Sequence, residues 1–229
     1  MEMRLDAMLP FLEGLAAHNS LAYMHSHKKE YAEAKAQFEA MVDALIARIV
    51  AFDGSVAGLE AKALTARLNR DTRFSNDKSP YTPAFRAHIS PAGRAPIPVG
   101  YYLFVSPGAS FVGGGLFASM FTDATRLIRQ KIDDTGDAFA KLVTAPAFAR
   151  EFTIVGDTLK RVPAPWPKDH PMGEYIKRKA WALEAPVADS LFADPAALMA
   201  RLEELCRLMM PFNGFLNGAL RTFVMPARP

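Results

Sequence analysis

The spacing of apolar residues predicts helices in the first third of the chain. Leucine and methionine recur at three- and four-residue steps between Leu5 and Leu15, and Asp6 is placed to cap the start of this helix. A second helical register runs from Tyr31 to Ile49 and ends near the glycines of "FDGSVAG". We therefore expect two helices in this part of the chain.

The middle of the chain changes to an alternation of apolar and polar residues, which is typical of strands with one buried face. This alternation covers residues 64–69 and 85–89. The runs "VGYYLFVSP" and "ASFVGGGLF" are rich in aromatic and β-branched residues, and "AWALEA" has the pattern of one more strand. The prolines of "HISPAGRAPIPVG" predict a stiff hairpin loop between two of these strands.

The helical period returns from residue 122 onwards. Short helices are predicted around Phe139 and at "PAFAREF", and a long final helix begins with Asp194 as cap and Pro195 in its first turn. Between them, "GDTLKRVPAPWPKDHP" has four prolines and no period, which indicates a loop. The sequence predicts one α+β domain over residues 1–229, with N-terminal and C-terminal helices flanking a central, mostly antiparallel sheet of about five strands.

Composition narrows the class of protein. Half of the 229 residues are hydrophobic and 22% are charged, which excludes a disordered chain. No apolar run approaches the roughly 20 residues that span a bilayer, so we expect no membrane association. The single cysteine, Cys206, excludes an intrachain disulfide, and no secretory signal pattern opens the sequence. We expect a cytoplasmic protein.

The charge distribution favours a small anionic partner. The net charge of +3 is too small to indicate nucleic-acid binding. Residues 60–100 nevertheless hold seven lysines and arginines against three acids, and residues 158–181 hold six against two. Positive charge concentrated in two segments is typical of proteins that attract small anions.

The densest polar segment is "NRDTRFSNDKSPY", residues 69–81. Arginine guanidinium groups bind phosphate or carboxylate through two hydrogen bonds, and a lysine adds a point charge. An anion-binding site in this segment would be built from six residues: Arg70, Arg73, Ser75, Lys78, Ser79 and Tyr81.

The same segment also fits a structural interpretation, in which Asp71 and Asp77 pair with the neighbouring cations and hold the turn. If the protein is an enzyme, Asp71 or Asp77 is the candidate base, and hydrolysis or group transfer is the candidate reaction class. His88 is a further acid–base candidate, because it shares a strand face with Arg86. The sequence leaves open whether the protein is an enzyme.

The loop "LKRVPAPWPKDH" is the second basic candidate. Its Lys160, Arg161 and His170 are candidate ligand-binding residues that could meet the first cluster in space and close over one anion. Lys168 adds charge, and Trp166 offers a ring face. The alternative is a solvated loop that its prolines hold against the core.

The remaining motifs argue against particular kinds of site and assign no function. The triplet Gly113–Gly115 lacks the context of a phosphate-binding loop, so it fits a bulge or a close backbone crossing, or else the wall of a site. His25 and His27 are two residues apart, a spacing that does not fit a metal site, and we expect no bound metal. No motif identifies a cofactor.

Several motifs together resemble one protein family. They are "LNRDTRFSNDKSPYTPAF", "GYYLFVSPGASFVGGGLF", "LIRQKI", "LKRVPAPWPKDHPMGEYIKRKAW" and "PFNGFLNGAL". The chain is similar, from about residue 11 to residue 220, to domain of unknown function 2461, a family of bacterial and fungal proteins with no established activity. This resemblance implies a shared fold and names no reaction.

Two functions therefore stay open at the level of the sequence. The first is a basic pocket for a small phosphorylated or carboxylated ligand, with or without hydrolase or transferase activity. The second is a non-enzymatic interaction or scaffold module, in which the charged cluster is structural and an apolar patch on the terminal helices contacts a partner.

Overall fold

The computed structural model describes residues 3–73, 75–117 and 120–226. The α-helices within these ranges are α1 (Met8–Ala17), α2 (Leu21–Ser26), α3 (Lys28–Ile49), α4 (Ala61–Leu64), α5 (Thr122–Asp134), α6 (Gly136–Thr144), α7 (Pro146–Glu151), α8 (Gly173–Ile176) and α9 (Pro195–Ala219). The strands are β1 (Phe85–Ile89), β2 (Tyr101–Val105), β3 (Phe111–Leu116), β4 (Thr153–Val155) and β5 (Trp181–Pro186).

The five strands form one antiparallel sheet in the order β1-β2-β3-β5-β4. Helices and an antiparallel sheet in separate stretches of the chain make this an α+β fold, as the sequence predicts. The predicted strands at 85–89, "YYLFV", "FVGGGL" and "AWALEA" are confirmed, and so is the return of helix at residue 122.

The strand predicted at residues 64–69 is wrong. Ala61–Leu64 forms a helical turn, and the Thr65 hydroxyl donates a hydrogen bond back to the Ala61 carbonyl at 2.9 Å. The chain then touches β1 through a single bridge between Thr65 and Ala87. The fifth strand is instead β4, three residues that pair with β5 at the opposite edge of the sheet.

Helices α9 and α1 are capped in different ways, the first by a neighbouring residue and the second by a residue of α3. Asp194 caps α9 as predicted, because its Oδ1 accepts a hydrogen bond from the Ala197 amide at 3.0 Å. The predicted cap by Asp6 is wrong: α1 begins at Met8, and Gln37 of α3 accepts the Ala7 amide at 2.9 Å while its amide nitrogen donates to Asp6. Of the described helices, none is both long and apolar enough to cross a membrane.

The core lies between the helices and one face of the sheet. Alternate residues of β1 and β2 are buried on that face, where Phe85 stacks on Phe38 of α3 with ring centroids 5.3 Å apart. Helix α9 packs on β3 from the same side. This close packing needs a glycine, because a Cβ at Gly114 would lie 2.8 Å from Met209 Sδ and 2.9 Å from Asn213 Oδ1.

The other face of the sheet carries the alternate residues of the same strands. Those of β1 and β2 are half-buried instead of buried, which distinguishes them from their neighbours on the core face. They are Arg86, His88, Tyr102 and Phe104. This open face, together with the loop between β4 and β5, contains the candidate sites.

Candidate functional site

The polar segment 69–81 is the tip of a ribbon that extends from β1. Backbone hydrogen bonds join Arg70 to Pro80 at 2.9 Å and Thr82 to Leu68 at 2.8 Å, so residues 71–79 form the turn. Phe74 lies outside the described residues. The turn residues predicted to bind an anion are therefore close together in space.

Internal contacts satisfy the first half of this cluster. Arg70 forms an ion pair with Asp77, and its other terminal nitrogen lies 3.5 Å from Ser75 Oγ. Asp77 also accepts the backbone amide of Ser79 at 2.9 Å. The hydrogen bond from Ser79 and the ion pair with Arg70 hold the pKa of the Asp77 carboxyl well below its usual range.

The second half of the cluster is paired in the same way. Arg73 donates to both carboxylate oxygens of Asp71, with Nη2 2.6 Å from Oδ2 and Nε 2.9 Å from Oδ1. These hydrogen bonds lower the pKa of Asp71 to about 2. Lys78 donates to the Thr72 carbonyl at 2.9 Å. Carboxyl groups with so low a pKa accept protons poorly at neutral pH, which weakens both aspartates as general bases.

Tyr81 belongs to the core instead of to the turn surface. The residue is only 7% exposed, and Asn19 holds its backbone through two hydrogen bonds of 2.9 and 3.1 Å. Residues 69–81 line none of the five best-formed cavities of the described residues. The geometry of the cluster thus favours the structural interpretation over the anion-binding one.

The two basic segments lie at opposite edges of the sheet. The 69–81 turn extends from the start of β1, whereas the loop at residues 156–180 joins the end of β4 to the start of β5. The edge strands β1 and β4 are separated by four inter-strand spacings, about 19 Å in all. Among the described residues, no hydrogen bond or ion pair joins the two segments.

The second basic segment surrounds a cavity of its own, with a volume of about 360 Å³. Its charged and polar lining residues, which we call the basic pocket, are Lys160, Arg161, Lys168, His170, Glu174 and Lys177. Lys177 pairs with Glu174 at 2.6 Å. Within the described chain, Lys160, Arg161 and Lys168 form no ion pair, in contrast to the arginines of the first cluster.

The loop that carries the basic pocket is held at its base by backbone contacts. The Leu159 amide donates to the Lys177 carbonyl at 2.7 Å, and the Lys179 amide donates to the Asp157 carbonyl at 2.8 Å. From α5, the Arg129 guanidinium donates to two carbonyls on the returning segment, at 2.8 Å each. Lys160, Arg161 and Lys168 therefore lie on a loop whose base is fixed by hydrogen bonds.

His170 is fixed by hydrogen bonds on both ring nitrogens. Its Nδ1 accepts the Met172 amide at 3.0 Å, so the ring proton is on Nε2, which donates to Asp133 Oδ1 at 2.9 Å. This contact lowers the pKa of Asp133. His170 therefore positions the wall of the basic pocket and has no ring nitrogen left for a ligand.

A third arrangement, the sheet-face cavity, lies on the open face and has a volume of about 370 Å³. Its lining residues are His88, Arg94, Pro96, Tyr102, Phe104, Phe111, Gly115, Phe117 and Glu184. Sequence reasoning singled out only His88 and the glycines here. The sequence did contain one signal for this cavity: "YYLFV" has aromatic residues on both faces of the strand, whereas an outward-facing strand position is usually polar.

His88 does not approach the 69–81 turn through any described contact. The loop after β1 covers it, and burial lowers the pKa of its imidazole, while backbone groups of Ala95 and Gly93 act in the opposite direction. The ring of Tyr102 is its neighbour, with centroids 6.5 Å apart. His88 is thus a half-buried ring in the wall of the sheet-face cavity.

The other described residues can be compared with the requirements of metal and nucleophile sites. No group of three or more histidine, cysteine and acidic side chains with the geometry to hold a metal ion occurs among the described residues. Cys206 is fully buried on α9. In the glycine triplet, Gly114 lies against α9, which is the close crossing that the sequence allows, and Gly115 lines the sheet-face cavity.

Comparison with known proteins gives a family. The family model described as conserved hypothetical protein (DUF2461) matches residues 7–215, which is most of the chain. No curated protein and no solved structure matches it. The matched range includes the 69–81 turn, the basic pocket and the sheet-face cavity. The chain therefore belongs to the DUF2461 family of conserved hypothetical proteins.

Proposed function

We propose that the protein is a cytoplasmic binder of a small phosphorylated or carboxylated molecule, and that the ligand occupies the basic pocket. One observation carries this proposal: Lys160, Arg161 and Lys168 converge on a cavity without a carboxylate partner among the described residues. Cations that are already paired gain little from an added anion, whereas unpaired cations gain a full charge-assisted contact.

The role of the 69–81 turn differs in this proposal from the one that its composition suggests. Arg70, Arg73 and Lys78 hold the turn through Asp77, Asp71 and the Thr72 carbonyl. The anion site then depends on the loop alone. His170 serves it by fixing the pocket wall through Asp133.

The proposal concerns binding and adds no reaction. Both ring nitrogens of His170 are engaged, and Glu174 is paired with Lys177, so the basic pocket contains no unengaged general base among its described residues. A hydrolase or transferase role would require a base from the ligand or from a partner.

Thermal denaturation in the presence of anions tests the proposal. Inorganic phosphate, pyrophosphate and citrate are compared with chloride at constant ionic strength. A ligand at about 100 times its dissociation constant stabilises the folded state by about 2.7 kcal/mol, which raises the Tm of a chain this size by roughly 5–10 °C.

A matched pair of triple variants locates the effect. Replacing Lys160, Arg161 and Lys168 by alanine should abolish the anion-dependent rise in Tm. The control variant K28A/K29A/K62A removes three exposed cations that form no described ion pair, and it should keep the rise. Equal losses in both variants, or no rise with any anion beyond chloride, would overturn the proposal and leave the interaction-module alternative in its place.

A further inference from the structure

A continuous strip of aromatic rings crosses the open face of the sheet. Phe104 of β2 stacks on Phe111 of β3 with ring centroids 5.0 Å apart and planes 18° apart. Tyr102 lies 6.0 Å from Phe111 and 5.3 Å from Phe117, whose side chain is exposed. His88 extends the strip onto β1. Rings in such a row present flat faces on which another planar group can stack.

A carboxylate lies beside these rings without a partner. Glu184 of β5 is half-buried, lines the sheet-face cavity, and forms no hydrogen bond or ion pair within the described chain. Its cross-strand neighbour on β3 is Gly113, so no side chain on that strand covers it. A Cβ at Gly113 would lie 2.4 Å from the Leu183 carbonyl oxygen and 3.2 Å from the ring of Phe117, so this position requires glycine.

The remaining polar groups of the cavity have different positions. Arg94 is exposed and stands in the loop over β1, at the mouth of the cavity. Arg86, which is not among the lining residues, donates to the Arg67 carbonyl at 3.1 Å and also interacts with Tyr102 in the cavity wall. The interior of the cavity thus combines aromatic walls with one anionic acceptor, Glu184.

We propose that the sheet-face cavity binds a planar nitrogen heterocycle with adjacent N–H donors, of the 2-amino heterocycle or guanine type. The ring stacks on the aromatic strip, and the two N–H groups donate to the Glu184 carboxylate. Arg94 contacts an acceptor or anionic substituent that projects from the mouth. The volume of about 370 Å³ falls within the usual range for small-molecule sites.

The charge of Glu184 decides between this ligand and the other occupants of an exposed sheet face. An apolar peptide would bury the carboxylate without a donor, which costs several kcal/mol. An anionic aromatic compound would be repelled by it. A heterocycle with paired N–H donors satisfies both carboxylate oxygens and the rings together.

Ligand-observed NMR and calorimetry on the full chain test this inference with 2-aminobenzimidazole and guanosine as probes. Benzoate and indole serve as comparison compounds, because benzoate carries a negative charge like the Glu184 carboxylate and indole has a single N–H. We expect both probes to bind at least about tenfold more tightly than either comparison compound, which corresponds to one charge-assisted hydrogen bond. Preference for benzoate or equal binding of indole would overturn the proposal without any variant.

Variants connect the binding to the named residues. Glu184→Gln should weaken both probes about tenfold, whereas Glu13→Gln, which removes the same charge from an exposed position on α1, should leave binding unchanged. Phe111→Leu should weaken stacking without changing the preference for two N–H donors. Unchanged affinity of both probes for a folded Glu184→Gln protein would refute the assignment. Concentration-dependent dimerisation that Phe117→Ser abolishes would also refute it, because a second copy of the chain would then cover the sheet-face cavity. The basic-pocket triple variant should bind the probes normally, so this test and that of the anion site fail independently.

Discussion

Asn213 Oδ1 accepts a hydrogen bond from the Gly115 amide at 2.8 Å, in a position where the asparagine is only 4% exposed. Its amide nitrogen donates to the Gly100 carbonyl at 3.1 Å. One helical turn later, Asn217 bonds both polar backbone groups of Val99, at 2.8 and 2.9 Å. The two asparagines of "PFNGFLNGAL" thus tie α9 to β3 and to the segment that enters β2.

Replacing Asn213 by alanine should lower the free energy of unfolding by about 2–4 kcal/mol, because it leaves a buried amide and a buried carbonyl without partners and opens a small void. Urea denaturation followed by circular dichroism measures this loss. Asn217→Ala should cost about 1 kcal/mol, since this residue is half-buried and water can replace it. Similar costs for the two variants would contradict the difference in burial on which the prediction depends.

The glycine opposite Asn213 should be equally sensitive to substitution. Gly114→Ala places a Cβ within 3 Å of Met209 Sδ and Asn213 Oδ1, so α9 must shift, and we expect a loss of about 1–3 kcal/mol in unfolding free energy. Gly214→Ala on the exposed side of α9 meets nothing within 4 Å and should stabilise the protein by up to about 1 kcal/mol. Chemical denaturation of the two single variants gives the comparison, and a neutral Gly114→Ala would show that α9 does not pack as closely as described.

The fold was predictable where local signals were strong. Alternation identified β1 and β2, and the Asp194–Pro195 pair identified the start of α9. The error at residues 64–69 has a physical reason: Leu64 and Leu68 are both buried and four residues apart, a spacing that satisfies a helical turn as well as a strand. Strand β4 has only three residues, too few for any period to appear.

The sites were less predictable, because their contacts join residues that are distant in sequence. The composition of residues 69–81 identified a charged segment, but the pairing of Arg70 with Asp77 depends on how the tip folds. The sheet-face cavity draws Arg94, Phe117 and Glu184 from three separate segments. The composition of each segment alone gives no signal that these residues meet.

The ion pair between Arg73 and Asp71 predicts a measurable titration. Because the pKa of Asp71 is lowered to about 2, its contribution to stability is complete above the ordinary value of about 3.9 and is lost as the pH falls towards 2. Carboxyl-detected NMR should place the Asp71 midpoint near 2, and Arg73→Gln should raise it towards the ordinary value. Arg126→Gln, at an exposed position on α5, is the control that should leave it unchanged.

The structural interpretation of the turn makes a separate prediction about variants. Arg70→Ala removes the partner of Asp77, whose side chain is 58% exposed, and should lower the Tm by only about 1–3 °C, because water solvates the remaining carboxylate. The same variant should keep any phosphate-dependent rise in Tm, since the anion is proposed to bind elsewhere. A variant with an unchanged Tm that no longer responds to phosphate would instead identify the turn as the anion site.

The only cysteine of the chain reports on the packing of α9. Cys206 is 0% exposed, and burial, followed by the nearby Glu203 carboxylate, raises the pKa of its thiol. Because the thiolate is the reacting form, a disulfide reagent at pH 8 should modify the folded protein at least about 1000-fold more slowly than the protein in 6 M urea. Ala63→Cys in a Cys206→Ser background, which moves the thiol to an exposed position on α4, should react at nearly the unfolded rate. The packed helix gives the reagent no access to this thiol. Fast modification of native Cys206 would therefore mean that α9 opens far more readily than its contacts with β3 and α3 imply.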